Sequence, residues 1–365
     1  MRDILDNYII AQSKSKIKAG EGKNKGKYKF FNSSNVQTKF YDEYQYDKPA
    51  LIFGTGGNAS IHYCDEPFST STDCIVFYAR NESVDLKLIY IFISSNMHLL
   101  ESGFKGIGIK HISKSYIQNI EIKIPGKEVQ STITKSFDQI CDLISRRKEQ
   151  LSKLDELVKA RFVELFGDVI RNDKGWEQYT FSDITTSRLG KMLDAKQQTG
   201  KYAYPYLANF NVQWFRFEIE NLNKMDFNDA DRQEFELCDG DLLVCEGGEI
   251  GRCAVWHNEI QPCYFQKALH RVRCNQHIVL PDYMAWWFKY NCGHKGFAAI
   301  EGAKATIAHL PGVKLKALKV TVPPIELQNQ FVAFLKQTDK SKLKVQNSLE
   351  KLELLKKALM QKYFG

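Results

Sequence analysis

The chain contains two copies of one long sequence unit. Residues 130–167 align without a gap with residues 328–365, at a constant separation of 198 positions (Gly167 to Gly365). The matched identities include Gln130/Gln328, Leu151/Leu349, Leu154/Leu352, Leu157/Leu355, Ala160/Ala358, Phe166/Phe364 and Gly167/Gly365. Two copies are too few, and each is too large, for a solenoid of stacked repeats. The sequence therefore predicts a tandem duplication, in which one fold is built twice.

Weaker matches extend the similarity towards the start of each copy. Gly26-Lys27-Tyr28 pairs with Gly200-Lys201-Tyr202, and Asn35-Val36-Gln37 pairs with Asn211-Val212-Gln213. The run 49–54 resembles 241–246, and a Gly-Gly pair follows each run. In both copies a strand-rich domain is followed by a proline and then by a long helix. We therefore predict domains at 1–126 and 168–325, and long helices at 127–167 and 326–365.

Both domains have the pattern of a mixed α+β fold. Short apolar runs rich in β-branched and aromatic residues alternate with turn residues, as at 75–78, 242–244 and 318–322. The stretches 86–100 and 281–291 are longer and are predicted to be helices within the domains.

The long helices carry apolar residues at heptad spacing. In the first copy the apolar seam is Ile133, Phe137, Ile140, Ile144, Leu151, Leu154, Val158 and Leu165, with Arg147 in its one gap. In the second copy it is Phe331, Leu335, Val345, Leu349, Leu352, Leu359 and Tyr363, with the polar residues Thr338 and Lys342 within it. A heptad helix of about 57 Å needs a partner. Equal lengths favour an antiparallel, intramolecular coiled coil with pseudo-twofold symmetry, and the alternative is a coiled coil between two chains.

The composition indicates a cytoplasmic protein with a polyanionic partner. The 365 residues carry a net charge of +8, and nine cysteines form no zinc-binding pattern, so we expect reduced thiols in the core and no metal site. The first residues lack the apolar core of a signal peptide, and no apolar run is long enough to span a membrane.

A lysine-rich segment in the first copy is a candidate for contact with nucleic acid. Its lysines are Lys14, Lys16, Lys18, Lys23, Lys25, Lys27 and Lys29. Glycines and the aromatic residues Tyr28 and Phe30 are interleaved with them. Flexible ammonium groups between small residues suit contact with DNA phosphates, although a solvated surface loop would have the same composition.

Two further features recur in both copies. A Gly-Gly turn is followed by Asn58 in the first copy and precedes Arg252 in the second, and either side chain could read a base edge. The glycines are also explained by hairpin turns alone. Before the last strand, a Gly/Ala-rich turn holds Lys105, Lys110 and His111 in the first copy and Lys304 and His309 in the second. The lysines are candidate DNA contacts, whereas the histidines are as readily explained as turn or core residues.

Several catalytic motifs are missing from the sequence. The segment 20–28 resembles a phosphate-binding loop, but Tyr28 stands where a Ser or Thr would hold Mg²⁺. The triplet Glu121-Ile122-Lys123 lacks the second acid that a metal-dependent nuclease requires. The glycine pattern and the catalytic tetrapeptide of amino-methyltransferases are absent. We therefore expect a chain with no catalytic residues and no cofactor.

Some segments match a known family. They are 154–167 at the end of the first helix, Gly175-Trp176-Glu177 and Phe181-Ser182-Asp183-Ile184 after it, and the strand–helix junctions Ile124-Pro125 and 322–328. Through them the chain resembles the specificity subunit of type I restriction-modification systems over essentially its whole length. The family's recognition loops vary, so its base-reading residues cannot be transferred to positions in this chain.

The resemblance implies a function in DNA recognition. Each domain would read one half of a bipartite DNA site, and the helices would fix the spacing between the halves. The partners would be double-stranded DNA, two methyltransferase subunits that modify adenine, and two ATP-driven translocase-nuclease subunits. The catalytic activities would belong to those subunits.

The start of the chain departs from the family pattern. Met1-Arg2-Asp3-Ile4 aligns with Ser182-Asp183-Ile184, so the first domain would lack an edge strand, or the start would lie further upstream. Two other functions stay open at this point: a DNA methyltransferase or nuclease fragment with degenerate motifs, and a coiled-coil adaptor that binds only protein.

Overall fold

The chain divides into two compact units in a computed structural model, which describes residues 3–108, 110–194, 198–297 and 309–364. The first unit is Met1–Gln150 with Val345–Gly365, and the second is Leu151–Lys344. Each unit therefore contains an α+β body and part of each long helix.

The first unit is built from short strands and helices. Its strands are β1 (Asp3–Ile4), β2 (Ile9–Ala11), β3 (Tyr28–Phe31), β4 (Lys39–Tyr41), β5 (Ala50–Gly54), β6 (Ser60–Cys64), β7 (Phe68–Thr70), β8 (Cys74–Ala79) and β9 (Glu121–Ile122). Its short helices are α1 (Leu86–Ser95), α2 (His98–Glu101) and α3 (Lys114–Gln118). The strands form a four-stranded sheet β2-β8-β5-β6, a three-stranded sheet β4-β3-β7 and the pair β1-β9.

Strand β5 lies at the centre of this unit. All five of its residues are buried. Because side chains alternate across a strand, Leu51 and Phe53 enter the apolar cluster that contains α1, whereas Ala50 and Ile52 enter the cluster around Phe31. Burial on both faces explains why the run is continuously apolar.

The first long helix, α4, runs from Lys127 to Phe166. It follows Pro125, which cannot donate a backbone hydrogen bond and commonly marks a boundary between elements. The helix ends before Gly167, whose φ of +72° is in the left-handed region that favours glycine at a helix C-terminus.

The second unit repeats the architecture of the first. Its strands are β10 (Glu177–Thr180), β11 (Thr185–Leu189), β12 (Ala203–Leu207), β13 (Val212–Gln213), β14 (Arg216–Phe217), β15 (Lys224–Asp226), β16 (Leu242–Cys245), β17 (Cys253–Val255), β18 (Tyr264–Phe265), β19 (Leu269–Cys274) and β20 (Lys319–Val322). Its helices are α5 (Phe181–Ile184), α6 (Asp229–Phe235), α7 (Pro281–Gly293) and α8 (Gly312–Lys316), and the long helix α9 (Ile325–Phe364) begins in it and ends in the first unit.

The sheet orders are the same in the two units. The four-stranded sheet is β11-β19-β16-β17, and the three-stranded sheet is β15-β12-β18. In both three-stranded sheets one outer strand is antiparallel and the other is parallel to the central strand. The matching orders and directions confirm the predicted tandem duplication.

A buried glutamine makes the same contacts near the start of each long helix. Gln130 accepts the backbone N–H of Asp85 at 2.8 Å and donates to the carbonyls of Ser83 and Pro125. Gln328 accepts the N–H of Leu280 at 2.8 Å and donates to the carbonyls of Ile278 and Pro323. Gln130 thereby joins α4 to the loop before α1, and Gln328 joins α9 to the loop before α7.

The two long helices pack antiparallel within each unit. In the first unit, Ile133 and Phe137 near the start of α4 belong to an apolar cluster against which Leu359 and Tyr363, near the end of α9, are packed. In the second unit, Phe162 near the end of α4 lies 5.5 Å, ring centre to ring centre, from Phe331 near the start of α9. The predicted antiparallel pairing within one chain is therefore confirmed.

Three local expectations are corrected. Helix 86–100 is interrupted, because α1 ends at Ser95 and the side-chain amide of the next residue, Asn96, donates to Phe92 O. The first domain does have an edge strand, since Asp3 and Ile4 pair with β9. Leu5 N–H donates to Ile120 O, and Phe181 N–H makes the equivalent bond to Leu318 O in the second unit. Leu5 therefore corresponds to Phe181, four positions before the residue that the alignment of Ile4 with Ile184 predicted.

Candidate nucleic-acid interface

The lysine-rich segment lies between β2 and β3 in the first unit. Lys14, Lys16, Lys18, Lys23, Lys25 and Lys27 are exposed, whereas Lys29 is half-buried within β3. Two of the lysines are paired with acids of the same unit: Lys23 with Asp42, and Lys29 with Glu66 at 3.0 Å. Lys27 Nζ lies 5.1 Å from the ring centre of Tyr28, within the range of a cation–π contact.

These partners keep three of the lysines protonated. The hydrogen bond to Asp42 raises the pKa of Lys23, the hydrogen bond to Tyr28 raises the pKa of Lys27, and the hydrogen bond to Glu66 raises the pKa of Lys29. These three ammonium groups are therefore charged throughout the neutral range. Its paired members, Lys23 and Lys29, would have to exchange an acid for a phosphate to contact DNA.

A glycine turn and a second loop meet at the end of β5. Gly57 adopts a φ of +80°, and the following Asn58 is exposed. Gly57 N–H donates to Lys110 O at 3.3 Å, and Lys105 exchanges two backbone hydrogen bonds of 3.0 Å with His111. The fold thus brings the predicted residues Asn58, Lys105 and Lys110 to neighbouring loops, and both lysines are exposed.

The imidazole of His111 is held against the glycine turn. Its Nδ1 lies 3.1 Å from Thr55 O, and because a carbonyl only accepts, Nδ1 carries the proton in this contact. A Cβ placed on Gly56 would lie 3.2 Å from His111 Cε1, which is tighter than ordinary packing. The glycine therefore makes room for the histidine.

The second unit has the same arrangement with different side chains. Gly248 has a φ of +79°, and a Cβ on Gly247 would lie 3.3 Å from His309 Cε1. Leu310 N–H donates to Glu246 O as Ile112 N–H donates to Thr55 O. Glu246 therefore corresponds to Thr55, whereas the sequence match of 49–54 with 241–246 had paired it with Gly54.

The guanidinium of Arg252 is engaged by its own unit. Its side chain is 17% exposed and lies 4.0 Å from Glu249. Its Nη2 donates to Asn209 O at 3.0 Å. A base contact by Arg252 stays a prediction, and it would require this bond to break. Lys304 lies outside the described residues.

Sequence reasoning missed a basic cleft in the first unit. The cleft, of about 530 Å³, is lined by Gln12, Lys14, Thr55, His111 and Lys114, with apolar residues between them. Lys114 and Gln12 did not stand out because neither belongs to a run of charges. Only the packing of β2, the glycine turn and α3 brings them beside Lys14.

The second unit also holds an aromatic and charged contact that the sequence did not indicate. Trp214 Nε1 donates to Glu249 Oε1 at 2.6 Å. Lys289 Nζ lies 4.3 Å from the centre of the Trp214 ring. Because residues 214, 249 and 289 are far apart in the chain, no local pattern could have grouped them.

Among the described residues, no group of three or more His, Cys, Asp or Glu side chains is placed to hold a metal ion. The helices in the described ranges include none with the length and apolar character needed to cross a membrane.

Curated proteins with similar sequences are specificity subunits. The type I restriction enzyme MjaVIII specificity subunit of Methanocaldococcus jannaschii is 24% identical over 156 residues, which are 42% of this chain and 36% of that protein. A putative type I restriction enzyme specificity subunit of Haemophilus influenzae is 22% identical over 343 residues, covering 85% of this chain and 80% of that protein. The chain thus spans about a third of the first relative and most of the second.

Solved structures share the fold. An S subunit of a type I restriction-modification system from M. genitalium superposes with a TM-score of 0.67 at 15% identity, covering 100% of this chain and 96% of that chain. A chain from a structural study of complex assembly and conformational transition in the type I R-M system superposes with a TM-score of 0.57 at 14% identity, covering 100% and 97%.

A family profile matches both halves of the sequence. Residues 3–154 and 173–354 each match the family described as type I restriction modification DNA specificity domain. The two matches coincide with the two copies found in the sequence and with the repeated sheet orders. The chain therefore belongs to the type I restriction-modification DNA specificity domain family and carries that domain twice.

Proposed function

We propose that the chain is the DNA sequence-specificity subunit of a type I restriction-modification complex and acts in the cytoplasm. Residues 1–126 and 168–325 would be two target recognition domains, and the segments 127–167 and 326–365 would be spacers. Each domain would bind one half of a bipartite DNA site. The observation that carries the proposal is that one α+β architecture occurs twice, with a long helix after each copy.

The exposed basic residues support contact with the DNA backbone. Lys14, Lys16, Lys18 and Lys25 lie on one loop segment of the first unit, and Lys105 and Lys110 lie beside its glycine turn. Lysines in such loops supply sequence-independent contacts with phosphates, and side chains such as Asn58 would add base readout. The net charge of +8 favours association with a polyanion.

The paired helices would act as the ruler between the half-sites. Apolar side chains join them in the first unit and a fully buried aromatic cluster joins them in the second, so each pairing is a packed contact. Neither helix has an interior glycine or proline that would favour a kink. Only DNA sites with one spacer length would then fit both domains.

The same helices would also serve as a scaffold. We propose that two methyltransferase subunits and two restriction-translocase subunits assemble on the chain, and that these partners supply every catalytic step. The curated relatives that the chain matches bear the name specificity subunit, which supports a role in recognition.

Lengthening both helices tests the ruler. One heptad is inserted at 144/145 and another at 342/343, which preserves the phase of the apolar seam. We expect the half-site spacing to grow by about 10 Å, or roughly three base pairs. The readout is methylome sequencing of cells that express the variant with the partner subunits, because a split motif gives the spacer directly.

The control for the ruler lengthens only one helix. A heptad inserted at 144/145 alone shifts the register between the two helices, so it should lower the melting temperature and abolish methylation. An unchanged spacer in the doubly lengthened, folded variant would refute the ruler.

Two assays test the remaining functions. Purified chain is incubated with DNA and labelled adenosylmethionine, and we expect no methyl transfer until the methyltransferase subunit is added. Transfer by the chain alone would favour a methyltransferase. An electrophoretic shift with duplex DNA distinguishes a recognition subunit from a coiled-coil adaptor, which would not retard the DNA.

A further inference from the structure

The basic cleft of the first unit is built from three separate parts of the chain. Gln12 and Lys14 follow β2, Thr55 belongs to the glycine turn, and His111 and Lys114 lie on either side of the start of α3. We call it the His111 cleft. Among the described residues that line it, three are basic and none is acidic.

The two lysines of the His111 cleft differ from the paired lysines Lys23 and Lys29 of the same unit. Lys14 and Lys114 are exposed, and within the described part of the chain neither ammonium is paired with a carboxylate. By contrast, Lys23 and Lys29 are paired with acids. An unpaired ammonium needs no exchange of partners before it contacts an anion.

The floor of the cleft keeps the lysines close to a low-polarity surface. Cys74 is buried there, and burial raises the pKa of its thiol to about 12. The negative charge of Asp73 adds to this rise, whereas the positive charge of Lys14 opposes it. Electrostatic attraction is stronger beside a buried surface than in open water. A phosphate between Lys14 and Lys114 would therefore be held more firmly than one on a fully solvated loop.

The glycine turn leaves room for close approach from one side. Gly57 is exposed, and a Cβ placed on it would meet nothing within 4 Å. The adjacent His111 ring is fixed by its bond to Thr55 O, so this wall of the cleft is preorganised. Preorganisation lowers the cost of ordering side chains on binding.

The corresponding place in the second unit has lost this character. Glu246 stands where Thr55 stands, as their equivalent hydrogen bonds show. Gly312 stands where Lys114 stands, because α8 starts three residues after His309 as α3 starts three residues after His111. The histidine and its glycine are kept, while one lysine is replaced by glycine and a neutral hydroxyl by an acid. The fold of the turn is therefore the same in both units, whereas, among the described residues, the positive charge of the cleft is present only in the first.

We propose that the His111 cleft binds a phosphodiester of the DNA backbone through Lys14 and Lys114, so that the first unit makes an anchoring contact that the second unit lacks at the corresponding place. The inference rests on the proposed DNA-binding function and names the residues by which one half of the protein holds the backbone. It predicts that the two halves contribute unequally to salt-dependent binding.

The test measures affinity for a duplex of random sequence at several salt concentrations. Phosphate contacts do not depend on sequence, so the cognate site is not needed. Each of Lys14→Ala and Lys114→Ala should reduce the magnitude of the slope of log affinity against log salt by about 0.9, and the double variant by about 1.8. Thr55→Glu, which gives the cleft the acid of the second unit, should weaken binding at low salt.

Matched variants control for charge and folding. Lys127→Ala removes an exposed lysine of the same unit that faces Glu82, and it should leave the slope unchanged. Lys114→Arg should keep it. Melting temperatures confirm the fold, and Lys14→Gln with Lys114→Gln replaces the alanine pair if alanine lowers them.

The outcomes separate the cleft from the function on which it rests. Failure of the wild-type chain to bind any duplex would overturn the proposed function. Binding by the wild type with an unchanged slope in the double variant would overturn the cleft alone. Inorganic phosphate could also bind the chain in a way that depends on Lys14 but leaves DNA binding unchanged. That result would show a free-anion site and would also overturn the proposed role of the cleft.

Discussion

Lys342 Nζ lies 2.6 Å from a carboxylate oxygen of Asp155, so the charged position within the apolar seam of α9 is paired with an acid on α4. Asp339 lies 3.9 Å from the same ammonium. The seam of the second unit therefore combines a fully buried aromatic cluster with one ion pair at its edge.

The ion pair should contribute little to stability compared with the aromatic cluster. The Asp155 side chain is 59% exposed, and pairs of that exposure contribute up to about 1 kcal/mol, so Lys342→Ala should lower the free energy of unfolding by less than that. Phe331 is fully buried against Phe162 and Phe166, so Phe331→Ala should cost about 3–5 kcal/mol. Urea denaturation measures both. Equal losses for the two variants would show that the ion pair is a main stabilising contact.

The two buried glutamines should be equally important. Gln328→Ala leaves the N–H of Leu280 and two carbonyls without their partner, which should cost about 2–4 kcal/mol. Gln130→Ala should cost a similar amount, because its three bonds are the same. Exposed Gln346, which donates to Glu350, is the control and should cost under about 0.5 kcal/mol. A glutamine variant as stable as this control would contradict the argument.

Stability should fall at mildly acidic pH because of His270. Its Nε2 donates to Leu310 O at 3.1 Å, and burial lowers the pKa of His270 from its ordinary value of 6.5. The unfolded chain then binds the proton at higher pH than the folded chain. This contribution to stability is complete above pH 6.5 and is lost as the pH falls through the folded-state pKa. His270→Gln should flatten the dependence in urea titrations between about pH 5 and pH 7.5.

The control for this pH effect is His277→Gln, which removes an exposed imidazole. It should leave the slope of stability against pH as in the wild type. A His270→Gln profile as steep as the wild-type profile would place the titrating group elsewhere.

Gly190 should be irreplaceable for steric reasons alone. A Cβ on Gly190 would overlap the backbone carbonyl of Gln266, which cannot move without disturbing the strands around it. Gly190→Ala should therefore destabilise the second unit by about 1–3 kcal/mol, measured as a lowered melting temperature. Gly126→Ala is the matched control, since nothing lies within 4 Å of its added methyl group and it should be neutral. A neutral Gly190→Ala would show that the local backbone can rearrange.

The exposed lysines 23, 25 and 27 should contribute to binding of any DNA sequence. Changing all three to alanine should weaken binding uniformly and reduce the salt slope by about 2–3. A loss below one would indicate that the Lys23–Asp42 pair and the Lys27–Tyr28 contact persist in the complex. An undiminished slope would show that the segment is only solvated surface.

The sequence by itself determined the duplication and the antiparallel pairing of the two long helices. Residues 130–167 and 328–365 match without a gap, and the predicted seam residues Ile133, Phe137, Phe331 and Leu335 are all buried. These features are readable because helical periodicity and repetition are properties of neighbouring residues along one chain. The same periodicity predicts helices at 281–291 and 86–100, although the second ends earlier than predicted.

Only the tertiary structure decided which side chains meet. Lys14, Thr55 and Lys114 share one cleft because of the order and register of three strands and a short helix. The bond from Arg252 to Asn209 O depends on a loop more than forty residues earlier in the chain. Sheet register is fixed by packing between segments that are far apart, so a pattern read along the sequence carries no information about it. For the same reason, the run before the glycine turn matched one residue away from the alignment that its sequence favoured, whereas the glycines themselves matched as expected.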